Sequence, residues 1–185
     1  MRRTSRAPRL AKAATPKLTA DGVMEILRTT VPRLDELTDG VSQKRLSTVT
    51  DYGWSVNDQL AHLRACHDVL GGNMLRIVRE DHPAWKGMSP RTWQAQTDYF
   101  DWKFAAALDA FRGQRTELLK VLGPLPADAW DRTATVSAPP DVVYEYSVLF
   151  YGDWMARHER SHLKHMERIL KELAGPLSSG RSPAR

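Results

Sequence analysis

The sequence predicts an all-α protein, an antiparallel bundle of four helices with long loops between helices 2 and 3 and between helices 3 and 4. Four segments place apolar residues at three- and four-residue spacing. Clusters of Pro and Gly separate those segments. No stretch alternates apolar and polar residues over a strand's length, beyond a short possibility at Thr133–Val136. Four amphipathic helices bury their stripes most economically against one another. The 185 residues suit one domain that needs neither disulfides nor a structural metal for its core.

The first segment, Asp21–Leu37, carries Val23, Leu27, Val31 and Leu34 on one stripe, and Pro32 inside it predicts a kink or a break. The second, Ser55–Arg79, opens with Ser55-Val-Asn-Asp58, a capping-box-like start. Val56, Leu60, Leu63, His67, Leu70 and Met74 form its stripe, and Gly71-Gly72 weakens it midway. After the linker DHPAWKGMSPRTW, the third runs from Thr97 to Leu122 with Phe100, Phe104, Leu108, Phe111, Leu118 and Leu122 on its apolar face. Arg115 lies on that face too, as a buried ion-pair partner or an anion anchor. Gly123-Pro124 stops the helix, and the irregular stretch PLPADAWDRTATVSAPPD follows. The fourth segment runs from Val143 to Leu173 and is ended by Gly175-Pro176.

The net charge of +5 is concentrated at the ends. Residues 1–17 hold six Lys/Arg and no acid, and residues 175–185 hold two Arg and no acid. Between them 19 basic residues face 22 acidic ones. The expected organisation is a disordered basic tail at 1–17, a bundle domain at 18–174 and a disordered tail at 175–185. No basic stripe or recognition motif supports a nucleic-acid partner. No run of about 18 apolar residues predicts a membrane span. One cysteine, Cys66, excludes an internal disulfide and fits a cytoplasmic location.

The fourth segment contains HERSH, His158 to His162, which reads as the zinc-protease pattern H-E-x-x-H. At 100° per residue His162 and His165 fall within about 40° of His158, on the apolar stripe with Trp154, Met155 and Ile169. Imidazoles facing a core need partners, and a pair four residues apart can share a metal. The protease reading fails on context. In the metzincin pattern the third ligand's position is Arg168 and the glycine position is His165; no distant downstream acid follows. A di-iron bundle needs Glu-x-x-His twice, and Glu159-x-x-His162 occurs once. A third ligand for the pair comes from the second helix, where periodicity favours His67 over His62. Cys66 lies one turn from His62, as a flanking group or a small buried hydrophobe.

The segment GWSVNDQLAHL, Gly53 to Leu63, resembles the second-helix opening of the DinB/YfiT-like superfamily. RHERSHLKHMERIL resembles that family's last helix, and ALDAFRGQRTELLKVLGPLPADAWDRTAT its third helix and following loop. The resemblance covers about residues 19–173 and implies a four-helix bundle, often a homodimer. It implies a divalent metal held by His62, His158 and His162, which overrides the preference for His67. His165 stands where relatives often carry glutamine, as a supporting group or a replacement ligand.

Three neutral nitrogen ligands leave positions open for water or substrate. By resemblance, the leading expectation is a metal-dependent enzyme acting on a small molecule with a low-molecular-weight thiol such as bacillithiol or mycothiol, as an S-transferase, an isomerase or a related hydrolase. Zinc is the default metal on availability; nickel, iron and manganese are alternatives. The competing expectation is a non-enzymatic, stress-related helical binding protein whose metal is structural or absent.

Overall fold

The computed structural model describes residues 9–174. Residues 1–8 and 175–185, where most of the expected tails fall, lie outside the described residues.

Helix α1 (Ala20–Thr38) starts at Thr19, whose hydroxyl accepts from the Gly22 N–H, and passes through Pro32 without a break. A short α2 (Gln43–Leu46) leads to the second long helix. That helix begins as α3 (Val56–Cys66) behind a complete capping box. The Asp58 N–H donates to Ser55 Oγ at 3.1 Å, and the Ser55 N–H donates to Asp58 Oδ2 at 2.9 Å. It widens into a π turn at His67–Gly71 and continues as α4 (Gly72–Arg79). A Cβ on Gly71 would lie 3.3 Å from the His67 ring and 3.5 Å from Leu118, so the bare glycine makes room for the imidazole.

The linker expected to be irregular contains α5 (Pro90–Gln94), with Ser89 as N-cap and Pro90 in the first turn. Helix α6 (Phe104–Leu122) begins seven residues later than the predicted Thr97. Tyr99–Asp101 form a 3-10 turn instead, and Phe100 is exposed rather than part of the core. Helix α7 (Val148–Ala174) closes the bundle. Gly152 lets it approach α1, since a Cβ there would meet Val23 Cγ1 at 2.9 Å.

The all-α expectation needs correction, because the bundle carries a small mixed sheet ordered β1-β4-β3-β2. Strands β3 (Thr133–Ala138) and β4 (Val142–Ser147) form an antiparallel hairpin. Strands β1 (Arg9–Ala11) and β2 (Ala84–Lys86) add in parallel at its two edges. Arg9–Ala11 therefore leave the expected disordered tail and pair with Val142–Tyr144. The residues read as the start of the last helix, VVYEYS, are β-branched and aromatic and favour a pleated surface. Asp153 anchors the chain between β1 and α1, accepting from the Lys17 and Leu18 N–H groups at 3.1 and 3.0 Å.

The core has two apolar halves. One gathers Val23, Leu27, Leu70, Leu118 and Met155; the other gathers Leu34, Leu60, Phe111, Met166 and Ile169. Each helix crosses between them at a buried polar residue: Thr30 in α1, His62 in α3, Arg115 in α6 and Glu159 in α7. This polar belt holds the site.

Candidate metal centre

Helices α3 and α7 bring His62, His158 and His162 together. The Nε2 atom of His158 lies 3.1 Å from Nε2 of His62 and 3.1 Å from Nε2 of His162. The three form the group of ligand-type side chains, mutually within 4.8 Å, that could hold a metal ion.

Two buried glutamines set the histidine tautomers. His62 donates from Nδ1 to Gln94 Oε1 at 2.9 Å, and His162 donates from Nδ1 to Gln59 Oε1 at 2.8 Å. A neutral imidazole carries one N–H, so both rings turn a bare Nε2 lone pair toward His158. A hydrogen on His158 Nε2 can serve only one of its two neighbours. With that nitrogen bare, as when His158 carries its hydrogen on Nδ1, three Nε2 lone pairs converge, an arrangement that a cation resolves. A tetrahedral centre with Zn–N of about 2.0–2.1 Å spaces its nitrogens by about 3.3 Å, and a right-angled one by about 2.9 Å. The 3.1 Å separations fall between the two. The residues therefore fit a divalent metal, and an all-imidazole set suits zinc, nickel, copper or iron.

The electrostatics keep the ligands neutral. Burial lowers the pKa of His62. Burial, and then the neighbouring His62 and Arg91, lowers His158 to about 4. Burial, followed by His158 and His62, lowers His162 to about 3. All three imidazoles are therefore neutral at neutral pH, the form in which a histidine can bind a metal. Trp54 walls the cluster, edge-on to His62 at 5.3 Å and stacked over His162 at 6.4 Å.

A cavity of about 180 Å³ opens beside His62 and His158, lined also by Cys66, Leu70, Arg91 and Trp154. Cys66 Sγ lies 3.4 Å from His62 Nε2, outside the three-histidine group. Burial, and then the Glu159 charge, pushes its thiol up to about 12, so Cys66 flanks the site as a neutral group.

The other candidates are placed elsewhere. His67, favoured by periodicity, points toward α6, edge-on to Phe111 at 6.2 Å. His165 is exposed, with its ring centroid 6.2 Å from that of His162. Glu159, the acid of HERSH, is buried in an ion pair with Arg115, and it accepts from the Thr30 hydroxyl at 2.7 Å. Arg115 is thus an ion-pair partner and not an anion anchor. Sequence reasoning missed Gln59, Gln94, Trp54 and Arg91. Gln59 sits one turn before His62, a spacing that was readable; Gln94 and Arg91 lie on the unforeseen α5.

Among the described residues no helix is long and apolar enough to cross a membrane. Among solved structures, the chain is similar to YfiT from Bacillus subtilis, described as a probable metal-dependent hydrolase with an unusual four-helix bundle topology. The TM-score is 0.70 at 15% identity, covering 90% of this chain and 94% of that one. No curated protein matches the sequence. Residues 26–166 match the family model of the DinB superfamily, a span that includes His62, His158 and His162, and the chain belongs to that superfamily.

Proposed function

We propose that this protein is a divalent-metal-dependent enzyme that transfers a low-molecular-weight thiol to an electrophilic small molecule. The observation that carries the reading is the convergence of three free-base Nε2 atoms beside a cavity whose lining contains no carboxylate. A divalent cation held there supplies Lewis acidity and draws the pKa of a thiol or water toward neutrality. The cavity wall offers no general base, because Glu159 is engaged with Arg115 and Thr30. A nucleophile that needs little help is favoured. A thiol begins at a pKa of about 8.5 and water at about 15.7, so the thiol reaches its anion far more readily. His62 and His162 hold their lone pairs in place through Gln94 and Gln59, Trp54 packs against both rings, and Trp154 forms part of the cavity wall.

The test uses protein loaded with zinc or nickel, a thiol and 1-chloro-2,4-dinitrobenzene. Sulfur displaces chloride, giving a thioether, chloride and a proton. Metal-dependent thioether formation, absent from metal-free protein, is the expected result. Failure to bind or turn over any such thiol, bacillithiol and mycothiol included, would sink the reading. A second reading, metal-dependent hydrolysis, is favoured by the description of YfiT; ester cleavage without thiol would select it. Neither activity in metal-loaded protein would leave a helical binding protein.

The outer shell gives a further expected result. Gln94→Leu removes the acceptor that fixes the His62 tautomer, and metal affinity should fall about 10–100-fold with the fold intact. Competition with a chromophoric chelator reads the change, and an unchanged affinity would show that Gln94 does not orient His62.

A further inference from the structure

Arg91 lines the cavity with His62 and His158, without a counter-charge. It lies on α5 three residues before Gln94, so the helix that orients His62 also carries a guanidinium to the cavity wall. Among the described residues it forms no ion pair; its recorded neighbour is the Trp54 ring at 5.9 Å. Arg115, Arg157, Arg112 and Arg76 pair with Glu159, Asp153, Asp35 and Glu80; Arg91 shares its lack of a carboxylate partner with the exposed Arg28, Arg79, Arg160 and Arg168, and differs from them in lining the cavity beside His62 and His158. Neutral ligands leave the full charge of a bound dication uncompensated, and Arg91 adds to it. An unpaired cation beside a cation site is unfavourable unless an anion joins them.

We propose that Arg91 is the recognition residue for an anionic oxyacid group, a carboxylate or phosphate, carried by the substrate or thiol close to its reacting atom. The proposal rests on the metal-centre reading above. Size supports it. A cavity of about 180 Å³ has room for roughly six water-sized units at about 30 Å³ each, so it admits a reactive end and little more. The planar donor fork of arginine matches both oxyanions, and its exposed position at the mouth leaves it free to close on one.

Two thiols that differ in charge test it: 3-mercaptopropionate and 2-mercaptoethanol. Each is titrated into cobalt-loaded protein and followed by the thiolate-to-cobalt absorption band, in the parent, Arg91→Gln and Arg91→Lys. Metal content is measured first in all three. The parent should prefer the carboxylate-bearing thiol by about tenfold or more. Arg91→Gln should lose that preference at unchanged metal content, Arg91→Lys should keep part of it, and mercaptoethanol should bind all three alike. Acetate or inorganic phosphate, added as competitor, identifies which oxyanion the site takes; displacement by either in the parent that weakens in Arg91→Gln supports the proposal, and displacement equal in both overturns it. Equal binding of the two thiols by the parent, or a preference that survives in Arg91→Gln, would overturn the assignment of Arg91 and leave the metal centre standing. A parent that takes up no metal would overturn both.

Discussion

His158→Ala should cost more metal affinity than any other single change. His158 Nε2 is the atom from which both other ligand nitrogens lie 3.1 Å away, so its loss leaves two imidazoles without the one that joins them. The loss should exceed the roughly 10–100-fold expected for an outer-shell partner. The neighbours stand apart from the group: His165 is exposed one turn beyond His162, and Cys66, though 3.4 Å from His62 Nε2, lies outside the three-histidine group. His165→Ala should therefore bind metal like the parent. Competitive titration against a chelator measures both variants, and near-parental affinity in His158→Ala would remove it from the ligand set.

Glu159→Ala should be the most destabilising change in HERSH, and for a reason unrelated to catalysis. The Glu159 and Arg115 side chains are 2% and 3% exposed, and they meet at the seam between the two apolar halves of the core. Arg115 also donates to the Leu27 carbonyl at 3.4 Å. Removing the carboxylate strands a guanidinium in the interior, at a cost of about 3–5 kcal/mol. The double substitution Arg115→Met with Glu159→Leu removes both charges and should recover most of that loss. Urea denaturation of the single and double variants checks this. A loss below about 1 kcal/mol in Glu159→Ala would mean the pair contributes little.

The long helices and the grouping of His62, His158 and His162 were legible in the sequence for different reasons. Stripes such as Val23-Leu27-Val31-Leu34 reveal a helix wherever one face is buried and the other wet. The same reasoning misjudged α3, where it preferred His67 to His62. Ten of the eleven α3 residues are buried, because α5, α6 and α7 all pack around it. With no wet face, position on the stripe does not tell which histidine meets α7. The family resemblance pointed to His62 because it tied that residue to a local motif rather than to a face.

The sheet was illegible because β1 and β2 have three residues each, too few to show alternation. Strand β4 runs straight into α7, and all six of its residues are half-buried, which erases the period-2 signal. Helix α5 is five residues long and lies in a Pro-rich linker, yet it supplies both Gln94 and Arg91. Its start signal, Ser89-Pro90, was present; its position against α3 is a tertiary fact that no local pattern encodes.

The most direct test of the account is the metal content of untagged protein, measured by mass spectrometry as purified and again after incubation with zinc and with nickel. Convergent, free-base Nε2 atoms predict about one divalent ion per chain in the parent and little in His62→Ala or His158→Ala. A parent that binds neither ion under both conditions would contradict the metal centre and every function built on it.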